Sequence, residues 1–325
     1  MAHTYLRQHT QVGVRITTIE GLESFVASAS RIVSIGRVVE DLTLVLVDQA
    51  EDALDIVRRC LQLTPHIESL VLDLPFTPPV DFLDPFLFPK IQLLSTNIPH
   101  DCLSTFLSIH PSLRSLVLRY CGDHSICPLK DVSLAHIIEL QCPSRCLPAI
   151  ANGQVARATV NLTRLASNAL LAIGALSSSP LYCLSIDFFP NDYDLLIRVA
   201  AAAPTIRKLK LVEKPRPQRR GCHIRRPWND HRAWHNILLK LSHLEELALH
   251  TLTRVSSARR PEAQIISSWA NGPAHRMTTH PTLYHIGIKQ PGLRGDDPQL
   301  TEWFKGNSGG PWDCVVNVTG NDVQL

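Results

Sequence analysis

The segment Gly306–Trp312, GNSGGPW, contains the residue types of a nucleophile loop. Glycines around Ser308 could free backbone N–H groups to stabilise an oxyanion while the serine hydroxyl attacks a carbonyl. That chemistry also needs a histidine and an aspartate within hydrogen-bond reach, and no matching histidine block precedes the segment. We therefore interpret it as a glycine turn before a last strand, and we predict no catalytic residues and no enzyme activity.

Two groups of cysteine and histidine could supply metal ligands. The first lies within residues 222–235 and comprises Cys222, His223, His231 and His235, of which the last two would share a helix face. The second comprises Cys121, Cys127, Cys142 and Cys146. Neither has the short cysteine spacing of a zinc knuckle. We favour a chance grouping for the first and buried core cysteines for the second, so no metal and no cofactor are predicted.

Residues 214–232 form a basic segment with seven lysine and arginine side chains against one aspartate. Each neutralised phosphate strengthens binding to nucleic acid, and basic runs also act as nuclear-import signals. A solvated insertion between two repeats is the competing interpretation, because proline and arginine favour such loops. The net charge of +3 makes nucleic acid an unlikely main partner. The candidate residues of this basic loop are Arg219, Arg220, Arg225 and Arg226.

The composition is typical of an ordered protein without a membrane segment. Hydrophobic residues make up 45% of the 325 residues and charged residues 19%. No apolar run approaches the roughly 20 residues that span a bilayer, and the first residues lack the apolar core of a secretory signal. The nine cysteines are therefore expected to stay reduced, which indicates the cytoplasm, the nucleus or both.

One motif must position all these side chains: a helical run, a proline, and a strand of the form Φ-x-x-Φ-x-Φ, where Φ is apolar. Clear copies start at Pro65, Pro111, Pro204 and Pro281. Proline disfavours helix in the residue before it, so it ends each helix. We align the strands on the second Φ residue: Leu42, Leu70, Leu94, Leu116, Leu140, Ala158, Leu184, Leu209, Leu247 and Ile286. Most steps are close to the leucine-rich-repeat period of about 20–29 residues.

The predicted fold is an α/β leucine-rich-repeat solenoid with about ten irregular repeats, a parallel concave sheet and outer helices. We predict one domain, 1–325, with an N-terminal cap over 1–37 and repeats over 38–290. Polar insertions interrupt the repeats at 214–231 and 254–280, and a cap over 291–325 comprises a helix, a glycine turn and a strand. The outward positions of the strands form the predicted partner-binding face: Asp73, Arg119, Glu139, Arg157, Asp187, Lys208, Lys210, His250, His285 and Lys289.

The segments PSLRSLVLRYCGD, PHIESLVLDLP, PTIRKLKLVEK and LSHLEELALHTL resemble the leucine-rich repeats of F-box proteins, above all the irregular ones of mushroom-type fungi. The resemblance covers most of the chain. It implies a substrate-binding surface, while an F-box would dock onto Skp1 of a cullin ubiquitin ligase. Residues 1–35 lack the Leu-Pro opening of an F-box, so that complex is expected only if an F-box is supplied elsewhere.

The expected function is therefore a non-catalytic scaffold for an unknown protein partner. The alternative is a nucleic-acid or nuclear factor that binds acidic partners through the basic segment 214–232.

Overall fold

The computed structural model describes residues 12–47, 53–123, 125–151, 153–162, 172–215, 226–256, 260–272, 278–292, 298–306 and 311–317. The chain divides into two compact units, Met1–Val155 and Ala156–Leu325. Both units combine a sheet, parallel for the most part, with helices between the strands, so the fold is α/β with an open sheet.

The first unit contains six strands and five α-helices among its described residues. The strands are β1 Val12–Ile16, β2 Val39–Val45, β3 Ser69–Asp73, β4 Leu93–Thr96, β5 Ser115–Leu118 and β6 Glu139–Pro143. The helices are α1 Ile19–Arg31, α2 Val33–Arg37, α3 Ala53–Leu63, α4 Ser104–Ile109 and α5 Leu147–Ile150. Short 3-10 turns cover His100–Leu103, Pro128–Asp131 and Ser144–Cys146.

The strands of the first unit pair in parallel and in chain order. Their second Φ residues lie directly opposite one another from strand to strand, in the order Leu42, Leu70, Leu94, Leu116 and Leu140. All five side chains are buried, while the residues before and after each are mostly half-buried. This alternation follows from the two-residue period of a strand, and it confirms the predicted register.

The second unit contains seven strands and three α-helices among its described residues. The strands are β7 Arg157–Asn161, β8 Cys183–Phe188, β9 Lys208–Glu213, β10 Glu246–His250, β11 His285–Gln290, β12 Gln299–Lys305 and β13 Trp312–Asn317. The helices are α6 Leu195–Ala202, α7 His231–Leu238 and α8 Glu262–Asn271. Further 3-10 turns cover Ile173–Leu176 and Pro227–Asn229.

The register of the second unit is continuous from β7 to β11. Ala158, Leu184, Leu209, Leu247 and Ile286 lie opposite one another in five parallel strands. The predicted alignment is therefore confirmed here as well, including Ala158, whose motif is the least regular. Strands β12 and β13 then continue the sheet in the antiparallel direction.

The prolines end three helices as the sequence predicts. Helices α3, α4 and α6 end just before Pro65, Pro111 and Pro204. At the start of α6, Asp194 occupies the cap position and no side chain caps the helix by a hydrogen bond. The Asp192 carboxylate instead accepts a hydrogen bond from the Phe189 N–H at 2.7 Å, which stabilises the preceding turn.

Two predicted segments need correction. The C-terminal cap does not begin with a helix, because Gln299–Lys305 forms β12 and pairs with the otherwise unpaired edge of β11. Segment 254–280 is not simply a polar insertion, since it contains α8 with Ile265, Ile266 and Trp269 buried. The end of the basic segment is likewise packed, with Trp228 only 1% exposed.

Among the described residues, no helix has both the length and the apolar character needed to cross a membrane.

Candidate binding surface and a buried cysteine–histidine cluster

The second unit exposes one face of its parallel sheet, which we call the open face. Residues of neighbouring strands form three rows across it. The first row is Arg157, Cys183, Lys208, Glu246 and His285; the middle row is Thr159, Ser185, Lys210, Ala248 and Gly287; the third row is Asp187, Val212, His250 and Lys289. The intervening apolar residues are buried on the other side of the sheet.

The middle row of the open face has little side-chain bulk toward the C-terminal strands. Ala248 and Gly287 are its residues on β10 and β11. A methyl group added at Gly287 would meet nothing closer than the His285 imidazole at 4.0 Å, so a small side chain would fit there. The row therefore has its smallest side chains on β10 and β11, with the half-buried Lys210 on β9.

The first row carries a connected set of charges. The Lys208 ammonium lies 2.8 Å from the Glu246 carboxylate, and the Tyr284 hydroxyl donates to the same oxygen at 2.9 Å. Burial acts to raise the pKa of Glu246, but the hydrogen bonds from Lys208 and Tyr284 outweigh it and hold that pKa below its usual range. The hydrogen bond to Glu246 raises the pKa of Lys208 in turn.

Aromatic rings lie along the first row. The His285 imidazole stacks on Phe304, with ring centroids 4.7 Å apart, and lies 3.5 Å from the Glu302 carboxylate. The Arg157 guanidinium lies over the Tyr182 ring at 5.9 Å. Tyr182, Tyr284 and Phe304 are all more than one-third exposed. Exposed aromatic and arginine side chains are the types that dominate protein interfaces.

A cleft of about 360 Å³ lies where β9, β10 and β11 end. Its lining includes His250 and Lys289 of the third row together with Leu252 and Pro291. Glu213 also lines the cleft, and its buried carboxylate accepts hydrogen bonds from the Thr251 hydroxyl at 2.6 Å and the Leu252 N–H at 2.8 Å. These bonds fix the loop after β10, so the cleft has a rigid wall.

The prediction that Asp187 faces a partner needs correction, because this residue is only 7% exposed. Its carboxylate accepts a hydrogen bond from the Leu162 N–H at 3.0 Å and lies 3.4 Å from the Lys214 ammonium. Burial raises the pKa of Asp187, although both partners act to lower it. Its described contacts therefore stabilise the loop after β7.

The predicted face of the first unit contains Asp73, Arg119 and Glu139. The Arg119 guanidinium lies 2.5 Å from the Asp73 carboxylate, which joins the ends of β3 and β5. Glu139 is half-buried at the start of β6. Asp73 and Arg119 therefore neutralise each other, and the more extensive polar surface belongs to the second unit.

The basic segment is only partly described. Arg219, Arg220 and Arg225 lie outside the described residues, as do Cys222, His223 and Ser308. Arg226 is described, and its guanidinium pairs with the buried Glu213 carboxylate at 2.9 Å. This contact anchors the end of the segment, so Arg226 is not an exposed member of a basic patch.

His231 and His235 lie on a helix, as expected, but they do not act as a pair. The His235 imidazole lies 2.8 Å from the Trp269 carbonyl through Nδ1 and is buried between α7 and α8. Burial lowers the pKa of His231. His235 is therefore a core residue that joins two helices.

The first unit contains a cluster that the sequence analysis did not predict. Its members are His100, Cys121, Cys127 and Cys146, whose ring nitrogen and sulfur atoms all lie within 4.8 Å of one another. All four residues are buried. His100 Nδ1 lies 3.2 Å from the Cys127 sulfur, and the other ring nitrogen has no hydrogen-bond partner among the described residues. We call this group the Cys3His cluster.

The cluster favours a negative sulfur at Cys127. A hydrogen bond from Cys146, opposed by burial and supported by His100, lowers the pKa of the Cys127 thiol. Burial disfavours the charged imidazole, but hydrogen bonds with Cys121 and Cys127 outweigh it and raise the pKa of His100. The hydrogen bond to Cys127, with burial, raises the pKa of Cys146. A thiolate is the form of cysteine that binds metal ions.

The repeat register contained the signal for this cluster. His100, Cys121 and Cys146 follow Leu94, Leu116 and Leu140 by six, five and six residues. They thus occupy nearly equivalent positions after three neighbouring strands, which the parallel pairing brings together. The burial of Cys121, Cys127, Cys142 and Cys146 was predicted correctly, but no short spacing motif links His100 to these cysteines.

No model of a known protein family matches the chain. A comparison with curated proteins gives no match either.

Proposed function

We propose that this protein is a leucine-rich-repeat scaffold that holds a protein partner on the open face of its second unit. The observation that carries the proposal is the continuous register from β7 to β11, which turns successive repeats into rows of outward side chains. Repeat proteins commonly use such extended faces for binding. The segment Leu113–Cys121 supports the repeat class, since Leu113, Leu116, Leu118 and Cys121 fit the pattern L-x-x-L-x-L-x-x-N/C.

The chemistry of the open face favours a peptide or loop of mixed charge. Lys210 lies in the middle row on β9 and Glu302 continues that row on β12, while Lys289 and Glu246 belong to the third and first rows on either side of it. Exposed Tyr284 and Phe304 supply apolar area at one edge. The cleft beside His250 is large enough for one or two side chains of the partner.

An intracellular partner fits the cysteine content. The eight described cysteines are free thiols, and six of them are buried. Reduced cysteines are usual in the cytoplasm and the nucleus. By its resemblance to F-box receptors, the partner would be a protein selected for ubiquitin transfer, provided that an F-box is supplied elsewhere.

Site-directed photo-crosslinking tests the proposal. A photoreactive residue is placed at position 210 on the open face or, as a matched control, at position 240, where Lys240 is exposed after α7. We expect one host protein to crosslink repeatedly from position 210 and not from position 240. Lys210→Glu should weaken binding of that protein, whereas Lys240→Glu should not. Equal crosslinking from both positions would contradict the proposal.

Two further measurements separate the alternatives. Co-purification of Skp1 with this chain alone would show that the ligase contact needs no additional F-box. Binding to duplex DNA or single-stranded RNA that Arg219→Glu, Arg220→Glu and Arg225→Glu abolish would favour the nucleic-acid hypothesis instead.

A further inference from the structure

We propose that the Cys3His cluster binds a structural zinc ion through His100, Cys121, Cys127 and Cys146. Three cysteines and one histidine form a standard ligand set of closed, tetrahedral zinc sites. The proposal concerns the first unit alone and does not depend on a partner for the open face.

The distances suit zinc after small adjustments. Bonds of about 2.3 Å to sulfur and about 2.0 Å to nitrogen place the ligand atoms roughly 3.5–3.8 Å apart. His100 Nδ1 and the Cys127 sulfur, at 3.2 Å, would move apart by roughly 0.3 Å to reach that spacing. The widest pair in the cluster is within 4.8 Å, so a movement of roughly 1 Å closes the tetrahedron.

The elements that carry the ligands are held in place before any metal binds. His100 begins a 3-10 turn, Cys146 ends another, and Cys127 immediately precedes a third. Cys121 lies beyond the end of β5. These positions are brought together by pairing of β4, β5 and β6, so the ligands come from the fold and not from one flexible loop.

The buried polar atoms of the cluster are held mainly by one another. The described hydrogen bonds of the His100 ring go to cysteine sulfurs, and its second nitrogen has none. Outside the cluster, the Cys127 sulfur accepts a hydrogen bond from the Leu129 N–H. Buried groups held by such weak contacts cost free energy. Coordination replaces these weak contacts with metal–ligand bonds, whose free energy contributes directly to folding.

The surroundings can also balance the charge of the site. Three thiolates and one zinc ion leave one net negative charge. Arg145 precedes the ligand Cys146, and its guanidinium donates a hydrogen bond to the Gly122 carbonyl beside the ligand Cys121. Gly122 has a positive φ of 84°, so the chain turns sharply there without strain. Arg145 is thus placed as an outer-shell residue that supports two ligands.

Metal analysis of the full chain tests the site. The reduced protein is loaded with Zn²⁺, freed of excess metal and analysed for zinc per chain; Co²⁺ loading then reports tetrahedral thiolate coordination by absorption. We expect about one ion per chain and strong sulfur-to-cobalt bands. Cys127→Ser and Cys146→Ser should each lower zinc affinity by more than about 100-fold, the upper end of outer-shell effects.

Two control variants make the outcome decisive even if a ligand variant folds poorly. Cys142→Ala removes a buried cysteine on β6 that is outside the cluster, and it should keep the ion. Cys222→Ser tests the other cysteine–histidine group. Loss of the cobalt bands in Cys222→Ser with retention in Cys127→Ser would overturn the proposal. Absence of zinc and cobalt from the wild-type chain would do the same.

Discussion

The Lys208 ammonium and the Glu246 carboxylate lie 2.8 Å apart on neighbouring strands of the open face. The two residues are directly opposite each other in the parallel register, which places their side chains on the same row. Lys208 is therefore less available to a partner than its position alone suggests. Its neighbour in the middle row, Lys210, makes no described ion pair and is the better site for charge reversal.

Glu246→Gln should destabilise the second unit by less than about 1 kcal/mol, because the Lys208 side chain is about one-third exposed and solvent screens the pair. The lowered pKa of Glu246 means that its stabilisation is present above the unfolded pKa of about 4.3. This stabilisation is lost as pH falls through the lower pKa of Glu246 in the folded state. Urea unfolding monitored by tryptophan emission measures the free energy of unfolding, since all five tryptophans lie in Ala156–Leu325.

Glu245→Gln is the matched control for that measurement. Glu245 is adjacent and of the same type, but its carboxylate lies 3.7 Å from the more exposed Arg207 guanidinium. We expect a smaller loss of stability than in Glu246→Gln. The prediction would be contradicted if the free energies of unfolding of wild type and Glu246→Gln differed by a constant amount from neutral to acid pH.

Asp187→Asn tests the opposite direction of pH dependence. Burial raises the folded pKa of Asp187, so its contribution to stability is fully present below the unfolded value of about 3.9 and is lost as pH rises through the folded value. We expect wild type to gain stability relative to Asp187→Asn as pH falls from neutral. The loss at neutral pH should stay below the roughly 3–5 kcal/mol of a broken buried pair, because the amide oxygen still accepts from Leu162.

Tryptophan emission during urea unfolding again gives the free energy of unfolding. Asp194→Asn serves as control, since Asp194 pairs with Arg198 on a partly exposed helix surface. If wild type instead loses stability relative to Asp187→Asn on acidification, the ion pair with Lys214 outweighs burial and the prediction is wrong.

The repeat register could be predicted because it depends on local signals. Each strand carries its own Φ-x-x-Φ-x-Φ pattern and most follow a proline, so Leu70, Leu116 and Leu209 could be aligned without knowledge of their contacts. The edge strand β12 could not be predicted in this way. Its sequence QLTEWFK is compatible with helix or strand, and the free edge of β11 decides the outcome.

The functional residues were harder to predict, because exposure depends on tertiary contacts. Asp187 has the outward position of a strand, yet Leu162 and Lys214 cover it. Trp228 lies in a segment rich in arginine and proline, yet it is buried against Phe188. His100 joins the Cys3His cluster through stacking of repeats, which no short spacing motif expresses.

Gly36→Ala should destabilise the first unit by about 1–3 kcal/mol, the usual cost of overpacking. A methyl group on Gly36 in α2 would lie 2.2 Å from the carbonyl oxygen of Leu63, the last residue of α3. The sign of this change in stability is informative, because alanine in a helix is normally more stable than glycine by about 1 kcal/mol. Hydrogen exchange of peptides from α2 and α3 should show faster exchange in the variant.

Gly13→Ala is the control for that substitution. The added methyl group would lie 3.8 Å from the Asp41 side chain, which is ordinary van der Waals contact. We expect no loss of protection in β1 or β2. Gly36→Ala with unchanged or increased stability would show that α2 and α3 can separate without cost.

Trp228→Ala should cost about 3–5 kcal/mol, the range for removing a large aromatic side chain from a core. The Trp228 ring packs edge-on against Phe188 and Trp234, with centroids 5.9 Å and 6.4 Å away. It also follows Arg226, whose ion pair with Glu213 anchors the same turn. Loss of the ring therefore removes the hydrophobic contact that holds the end of the basic segment against the second unit.

Urea unfolding followed by circular dichroism measures that loss, because the substitution itself changes tryptophan emission. Tyr193→Ala removes an aromatic ring that is 55% exposed and should change stability by less than about 0.5 kcal/mol. A similarly small effect of Trp228→Ala would mean that the basic segment is not anchored by this ring. The ion pair between Arg226 and the buried Glu213 would then be the contact that anchors the end of the segment.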